Sequence, residues 1–359
     1  MITFSNILNI YYANNKIKLG QYKSKHWKIN YGEKFKKLTK NKIENFRNNY
    51  LSKGLDDSYY SQNVQKKIYF DALKKLGKSF ITSNLNKKNI GNLKNFYSAN
   101  NSKIDINELF HIYWLYYLKK FLKNIKIICE IGGGYGSFAE KIIKNYNCKY
   151  ILIDLPETNI LSSFYISKNF PKKKIYLAHK KKDFFIDKKI LSKYDIFIIP
   201  PWYSFKDFKV DFFINTRSFM EMEKMVVENY FKLIHKFISK NGFFLNINRY
   251  KKKSVKEPIF FHQYPYDRNW SVIQSHSSWM QKHCHFLLTQ RIVNKSNEMP
   301  LELNRIKKLG IINSFVVDRI FFKNIIPRII YRNLLKIRRS LILYKTYNFM
   351  KSILYSTKK

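Results

Sequence analysis

The chain has 359 residues and a formal net charge of +44, because 68 lysines and arginines stand against 24 aspartates and glutamates. A basic excess of this size indicates an anionic partner or surface, even though an AT-rich coding bias also enriches Lys. Three scattered cysteines, Cys129, Cys148 and Cys284, form neither a metal-binding pair nor a disulfide framework, which favours a reducing cytoplasm. The first twelve residues lack the features of a secretion signal, and no apolar run reaches transmembrane length.

The N-terminal third of the chain is predicted to be helical. Lys-rich helical patterns are punctuated by Gly54, Gly77 and Gly91, and a strongly apolar, aromatic helix begins at His111. We therefore expect a helical cap over residues 1–124, an α/β domain over residues 125–295 and a basic helical tail over residues 296–359. The cap is expected to pack beside the sheet and to shape its ligand site.

The most informative segment lies between an apolar strand pattern that ends at Cys129 and an amphipathic helix pattern that begins at Ala139. Between them stands the string Glu-Ile-Gly-Gly-Gly-Tyr-Gly-Ser, residues 130–137. A strand, a glycine turn and a helix in this order predict the first turn of a Rossmann-like, doubly wound α/β sheet. The glycines let the backbone approach a ligand, and the helix offers its N-terminal N–H groups.

The spacing of the glycines distinguishes between cofactors. The dinucleotide pattern Gly-x-Gly-x-x-Gly fails, because Ser137 occupies its third position. The pattern Glu-x-Gly-x-Gly-x-Gly is met in full, by Glu130, Gly132, Gly134 and Gly136. That spacing resembles the first motif of S-adenosylmethionine-dependent methyltransferases. The resemblance implies that S-adenosyl-L-methionine is the cofactor, with the strand-end carboxylate near its cationic methionine part.

A second buried strand ends at Asp154, about 20 residues after the glycine turn. A carboxylate at this place can accept hydrogen bonds from two ribose hydroxyls, both in dinucleotide sites and in S-adenosylmethionine sites. Asp154 therefore indicates a ribosyl cofactor without choosing one, and Leu155 is predicted to adjoin the same site. Asp154 can equally serve as the carboxylate at the start of a helix, before Pro156.

Further strand patterns lie at residues 194–199, 211–215 and 243–247. The first of these is interpreted as the third strand of the sheet or as an added one. The second ends at Asn215, after which methyltransferases of this fold gather their chemistry, so Asn215 is predicted to contact the cofactor. The helix that follows is predicted to run to Lys240 and to end at the glycine signal Asn241-Gly242.

Four strings together resemble a bacterial family of sugar O-methyltransferases. They are Glu130-Ile-Gly-Gly-Gly-Tyr-Gly-Ser, Ile153-Asp-Leu-Pro-Glu-Thr, Ile214-Asn-Thr-Arg-Ser-Phe-Met-Glu-Met and Asn248-Arg-Tyr. The likeness runs over residues 27–291, and the Thr-Arg-Ser-x-x-Glu-Met string is the part that points to this family. The resemblance implies an S-adenosylmethionine-dependent enzyme that methylates a hydroxyl of a carbohydrate acceptor, in a cell-surface polysaccharide or its precursor.

A sugar hydroxyl is a weak acid, so a general base or a metal ion should help to remove its proton. Glu221 and His262 are predicted as catalytic residues, although Glu221 could instead pair with Lys224 along a helix. Arg217, also predicted in the catalytic site, and Arg249 could hold an acidic sugar or a phosphate, or could form structural ion pairs. Secondary candidates are Tyr264, Asp267, His276, His283 and His285, the last of which could belong to the core. No spacing of His, Asp or Glu indicates a metal.

One string favours a different acceptor. Ile199-Pro200-Pro201-Trp202 resembles the Asp/Asn-Pro-Pro-aromatic signature of methyltransferases that act on nucleic-acid bases, but Ile199 lacks the hydrogen-bonding side chain. The prolines are instead predicted to lie over the adenine edge of the cofactor, which places Pro200 in the cofactor site. Trp202 or Tyr203 is then a stacking partner or a packed loop aromatic. Specific nucleic-acid binding is not expected, and base methylation is kept as the alternative function.

The tail over residues 301–359 interleaves apolar residues with Lys and Arg, and Pro327 divides it into two predicted helices. Basic amphipathic helices are typical of contact with an anionic membrane surface, or they pack on the sheet with a solvated basic face. A cytoplasmic enzyme held on the inner face of the plasma membrane would suit a lipid-linked or nucleotide-linked acceptor. A non-catalytic, membrane-associated scaffold with a vestigial cofactor fold is the other alternative.

Overall fold

The architecture comes from a computed structural model of the chain. The structure describes residues 2–15, 22, 27, 35, 38–48, 51, 60–99, 102–178, 184–252, 259–279, 281 and 283–313. The two basic helices predicted around Pro327 lie outside the described residues, so that part of the tail stays a prediction.

Ten α-helices are described, together with short 3₁₀ turns at Phe46–Asn48, Phe219–Glu221 and Phe261–Gln263. The helices are α1 (Phe4–Asn15), α2 (Lys40–Glu44), α3 (Gln62–Leu76), α4 (Lys78–Asn84), α5 (Ile106–Leu122), α6 (Ser137–Asn145), α7 (Pro156–Asn169), α8 (Lys188–Lys193), α9 (Lys224–Phe237) and α10 (Glu298–Asn313). Among the described residues, no helix has the length and apolar character that a membrane span requires.

Fourteen strands are described, eight of which form the central sheet. The central strands are β3 (Ile127–Ile131), β4 (Lys149–Ile153), β5 (Ile175–Leu177), β7 (Ile196–Ile199), β9 (Val210–Thr216), β10 (Ile238–Arg249), β13 (Trp270–Ser277) and β14 (Cys284–Arg291). Three two-stranded pairs join β1 (Tyr97–Ala99) to β2 (Ser102–Ile104), β6 (Phe185–Ile186) to β8 (Ser204–Phe205), and β11 (Lys251–Lys252) to β12 (Ile259–Phe260).

The order of the central sheet is β13-β14-β10-β9-β3-β4-β7-β5. All neighbouring strands are parallel except those that flank β14, which is antiparallel to β10 and to β13. The first central strand along the chain is β3. The next three, β4, β5 and β7, lie on one side of it, and β9 and β10 lie on the other. The strand order therefore reverses at β3, where sheets of this type bind ligands outside the carboxyl ends of the strands. The predicted doubly wound α/β fold is confirmed.

The sheet separates two clusters of buried apolar side chains, because successive residues of a strand face opposite sides. Ile128, Leu152 and Phe212 belong to the cluster that packs under α1, α5, α6 and α7. Cys129 and Phe213 belong to the cluster that packs under α9. With helices on both faces, the parallel strands are mainly apolar, as the sequence patterns indicated.

The boundary between α9 and β10 differs from the prediction. Helix α9 ends at Phe237 rather than Lys240, and β10 begins directly at Ile238, because pairing with β9 already starts there. Asn241, with φ 63°, and Gly242 lie in a stretch of β10 where the register against β9 shifts. The Asn-Gly pair therefore forms a β-bulge rather than a helix C-terminus. In addition, β5 extends the edge beyond β7, which itself takes the third position beside β4.

A buried ionic cluster joins the helical cap to the sheet domain. The side chain of Lys141 on α6 is fully buried and donates to Glu108 on α5, and its Nζ lies 2.5 Å from Glu140 Oε2. Although burial opposes the charge, the two carboxylates raise the pKa of Lys141 above its ordinary value. A second pair, Arg47 with Asp105, lies at the start of α5. Helix α5 is thus held to α6 by charge as well as by apolar packing.

Candidate active site

A cleft of about 960 Å³, counted with the space that opens to solvent, lies at the carboxyl ends of β3, β4 and β9. The glycine turn after β3, Asp154 and Leu155 after β4, and residues of the segment 216–222 after β9 form its walls. The cap adds His111 and Trp114 from α5. Its position coincides with the reversal of strand order, where sheets of this type bind ligands.

The glycine turn has the backbone conformation that its spacing predicts. Gly132, Gly134 and Gly136 have φ values of 72°, 60° and 91°, a region that L side chains rarely adopt. A Cβ atom on Gly132 would also overlap the side chain of Ser218, which follows β9. The turn after β3 and the turn after β9 therefore approach each other so closely that only glycine fits between them.

Glu130 is a buried carboxylate with one unsatisfied oxygen. The side chain is 1% exposed, Tyr150 Oη donates to Oε2 at 2.7 Å, and Oε1 has no hydrogen-bond partner among the described residues. Burial raises the pKa of Glu130 to about 7, against the lowering effect of the Tyr150 hydrogen bond. Because Glu130 lines the cleft, a ligand that brings a hydrogen-bond donor or a positive charge to Oε1 would stabilise the buried carboxylate.

Asp154 follows β4 and joins the glycine turn to the start of α7. Its Oδ2 accepts from the Gly134 N–H at 2.8 Å, and its Oδ1 accepts from the Leu155 N–H at 2.7 Å at the start of α7. Burial raises the pKa of Asp154 to about 7, although both backbone hydrogen bonds act in the opposite direction. Asp154 thus shapes the glycine turn and also lines the cleft, where Leu155 lies beside it.

Asn215, predicted to contact the cofactor, lies behind the cleft wall instead. It is fully buried, donates from Nδ2 to the Ile131 carbonyl at 2.8 Å and accepts at Oδ1 from the Phe219 N–H at 3.1 Å. Asn248 on β10 donates to the same Oδ1 at 2.8 Å and accepts from the Met220 N–H at 3.1 Å. These amides satisfy the backbone of the turn after β9 and leave Asn215 to position the cleft rather than to line it.

The Pro-Pro-Trp string does not reach the cleft. Pro200 lines a separate small cavity with Tyr11 of α1 and Pro156 of α7, where α1 packs against α7. Tyr203 is buried in the core beneath α9, and Trp202 packs against that core. The prediction that Pro200 binds the cofactor is therefore not supported by its place in the fold. Trp202 and Tyr203 therefore supply no stacking surface to the cleft.

His262, predicted as catalytic, is not among the residues that line the cleft. It lies on the 3₁₀ turn Phe261–Gln263, which packs against α10, and its ring contacts Phe260 with 5.5 Å between centroids. Burial lowers the pKa of His262, and Lys307 of α10 lowers it further. The string that contains it builds a helix contact rather than a sugar-binding loop.

Most secondary candidates have structural partners outside the cleft. Tyr264 is buried among core aromatics, and Asp267 binds Arg291 with 3.0 Å between Oδ2 and Nη2. His276 stacks on Phe286. His285 is buried between Tyr250 and Ser275, with 2.9 Å from Nδ1 to the tyrosine Oη and 2.8 Å from Nε2 to the serine Oγ. The interpretation of His285 as a core residue is confirmed.

Glu221 and Arg217 do lie in the cleft wall. The partner of Glu221 is Lys252 on β11 rather than Lys224, whose Nζ lies 3.9 Å from Glu228 on the same helix. Arg217 has φ 61°, a conformation that is uncommon for a side-chain-bearing residue and frequent at functional sites. Its N–H donates to the Ile247 carbonyl at 2.6 Å, which fixes the start of the turn.

The cleft also contains a residue that the sequence did not identify as functional. His111 of α5 lines it, with Nδ1 2.9 Å from Ser137 Oγ and its ring stacked on Phe138. Burial lowers the pKa of His111 well below its ordinary value, and the charges of Arg217 and Lys141 add to this. The imidazole is therefore neutral at physiological pH. Its only sequence signal was one polar residue in an apolar helix.

Within the described residues, no group of three or more His, Cys, Asp or Glu side chains could hold a metal ion. The cleft contains the carboxylates of Glu130 and Asp154 near the glycine turn and the neutral imidazole of His111 on the cap. Its far wall contains Arg217 and Glu221, and Glu221 is paired with Lys252.

No family model matches the chain, and no curated protein matches it. Solved structures that resemble it include an S-adenosylmethionine-dependent methyltransferase from Mesorhizobium loti, with 10% identity, a TM-score of 0.32, and coverage of 49% of this chain and 96% of that one. The mitomycin 7-O-methyltransferase MmcR has 10% identity and a TM-score of 0.32, over 52% and 57% of the two chains. The tRNA m1G37 methyltransferase from M. jannaschii has 16% identity and a TM-score of 0.30, over 50% and 48%. At these scores, the chemistry of the cleft has to be argued from its own residues.

Proposed function

We propose that the protein is an S-adenosylmethionine-dependent methyltransferase. The observation that carries the proposal is the carboxylate of Glu130. This residue lines the cleft beside the glycine turn, and its buried Oε1 atom has no donor among the described residues. The methionine part of S-adenosylmethionine carries an ammonium group and a sulfonium centre, and either would be stabilised by this carboxylate. Asp154 would accept the ribose hydroxyls, and Leu155 would contact the nucleoside part.

Glu130 argues against a dinucleotide, whereas Asp154 is compatible with both kinds of cofactor. A pyrophosphate placed at the start of α6 would lie near Glu130, whose carboxylate would repel it. The third dinucleotide glycine is also replaced by Ser137, whose hydroxyl is engaged with His111. The chemistry of these groups therefore fits a cationic ribosyl cofactor better than an anionic one.

For the acceptor, we propose a sugar hydroxyl in a cell-surface polysaccharide or its precursor. Support comes from the Thr-Arg-Ser-x-x-Glu-Met string, which resembles the sugar O-methyltransferase family and whose Thr216, Arg217 and Glu221 line the cleft. Trp27 and Trp114 also line it and could stack on a sugar ring.

Contact between the basic tail and an anionic membrane belongs to the same proposal. Flotation with anionic vesicles, compared between the full chain and a chain ending at residue 313, would test that contact, and equal flotation would contradict it.

When bound, S-adenosylmethionine supplies an electrophilic methyl group, and the protein has to position the acceptor hydroxyl in line with it. His111 is our candidate for the general base. If its Nδ1–H donates to Ser137 Oγ, then Nε2 is the atom that accepts the hydroxyl proton. Glu221, held by Lys252, would orient the acceptor. The cap would exclude water from this part of the cleft.

Calorimetry with S-adenosylhomocysteine tests the cofactor. We expect the wild-type chain to bind, and Asp154→Asn to weaken binding about tenfold or more, because a charged acceptor of hydrogen bonds is lost. Asp195→Asn is the matched control, since Asp195 accepts from the Lys174 N–H away from the cleft. The proposal fails if the wild type does not bind, or if the two variants bind alike.

Transfer of a labelled methyl group to a cell-envelope carbohydrate extract tests the reaction. We expect His111→Gln to lose most of the turnover while it still binds S-adenosylhomocysteine. His276→Gln, whose ring stacks on Phe286 outside the cleft, should keep its turnover. Label found in nucleic acid instead would favour base methylation, and no turnover with any extract would favour a non-catalytic scaffold.

A further inference from the structure

Positive charge collects at the far wall of the cleft, which Arg217 lines, and beside this wall, at Arg249 and Lys252. Arg217 follows β9, and Arg249 is the last residue of β10, which lies parallel to β9 with Ile247 paired to Thr216. Lys252 follows on β11 and is bound to Glu221 of the cleft wall. Three cationic side chains therefore gather at one edge of the sheet, together with the carboxylate of Glu221.

These cations are close enough to affect one another. Burial lowers the pKa of Lys252, and the charges of Arg249 and Arg217 lower it further, while Glu221 acts in the opposite direction. Arg249 is half-buried, and its Nε atom is inaccessible to solvent and has no acceptor among the described residues. A buried guanidinium N–H without an acceptor is costly, so this position favours the arrival of an anionic oxygen.

The strand order separates the two kinds of charge. Along the sheet edge the spatial order is Arg249 at the end of β10, Arg217 after β9, Glu130 on β3 and Asp154 after β4. Neighbouring strands lie about 4.8 Å apart, so the midpoint of the strands β10 and β9 lies about 10 Å from the midpoint of β3 and β4. A cationic cofactor at β3 and β4 leaves the end at β9 and β10 to the acceptor.

We propose that the acceptor is an anionic carbohydrate, whose phosphate or carboxylate group is bound by Arg217 and Arg249 beside the Glu221–Lys252 pair. This inference rests on the proposed function, because it assigns the substrate class of the same cleft. Guanidinium groups suit such oxygens, since their planar donors bind phosphate and carboxylate in pairs. Glu221 would then hold a sugar hydroxyl, and the positive charge would position the acceptor next to His111.

The first test requires no turnover and no knowledge of the sugar. The probe is inorganic phosphate, added to the full chain at constant ionic strength, and the readout is the rise in melting temperature with phosphate concentration. We expect the apparent affinity to fall about tenfold or more in Arg217→Gln and in Arg249→Gln. Arg268→Gln is the control, because Arg268 is exposed and is not one of the cations that act on Lys252. The inference is overturned if Arg217→Gln and Arg249→Gln respond to phosphate as the wild type and Arg268→Gln do.

The second test uses the labelled product of the transfer reaction. We expect the label to be retained on an anion-exchange resin. Release by phosphatase would identify a phosphate, and release by chemical reduction of carboxyl groups would identify a uronic acid. Label in the neutral flow-through overturns the inference but leaves the methyltransferase proposal intact. A protein that binds no S-adenosylhomocysteine overturns the methyltransferase proposal, and the phosphate titration then still decides whether the anion site exists.

Discussion

Replacing Glu130 by Gln should separate the binding role of this carboxylate from its cost to the folded state. Burial raises the pKa of Glu130 from 4.5 to about 7, so the folded protein holds a proton that the unfolded chain releases across this range. Stability from this group is fully present below pH 4.5 and is lost as the pH rises through 7. Because a tenfold change in proton affinity corresponds to about 1.4 kcal/mol, the total loss well above pH 7 is about 3 kcal/mol.

The measurement compares urea unfolding of the wild type and Glu130→Gln at pH 5.5 and at pH 8.5. Integration over this interval predicts that the wild type loses about 2 kcal/mol relative to the variant. The comparison of two pH values cancels any cost of the amide that does not depend on pH. We also expect Glu130→Gln to bind S-adenosylhomocysteine at least tenfold more weakly. Parallel pH profiles of the two proteins would refute the linkage argument, and undiminished binding would refute the assignment of Glu130 to the cofactor.

Three further predictions concern the packing around the cleft. Gly132→Ala should abolish S-adenosylhomocysteine binding in calorimetry, because the added Cβ overlaps the side chain of Ser218. Adding Ser218→Gly should restore part of the binding. No recovery would mean that backbone strain at φ 72° is the dominant cause. Asn215→Ala should lower the free energy of unfolding in urea by about 3 kcal/mol, since it leaves buried backbone groups unpaired, and a loss under 1 kcal/mol would contradict the role given to this amide. Burial lowers the pKa of His285, so the unfolded chain takes up a proton first and stability falls as the pH drops below about 6.5. His285→Gln should remove up to about 1.4 kcal/mol per pH unit of that fall between pH 6.5 and 5, and an unchanged slope would count against it.

The glycine turn and its flanking strands could be predicted from the sequence because their signals are local. The positive φ values of the turn depend on the glycines themselves, and the two flanking strands are apolar except for Glu130 and Lys149. Asp154 was found for the same reason, since a carboxylate at the end of the second strand lies at the same sheet edge as the turn.

The far wall of the cleft was harder to predict, because its contacts join residues distant in the chain. Asn215 has the right position after a strand, but its side chain turns to the backbone of the neighbouring strand and of its own turn. His262 and Pro200 lie on loops whose packing against α10 and α1 leaves no local signature. His111 enters the cleft only because α5 packs on α6, and this places it beside Ser137.

The buried Lys141 has a consequence for how the chain can be divided. A protein that began at residue 125 would keep Lys141 and Glu140 but lose Glu108, and with it a partner that holds the charge inside the fold. With a cap that lacks Glu108, Lys141 would stay buried with one of its two carboxylates, and breaking a buried ion pair from one side costs about 3–5 kcal/mol. We therefore expect the sheet domain and the cap to be exchanged between related chains as one unit. Shuffling the cap to alter acceptor choice would have to carry Glu108 along with it.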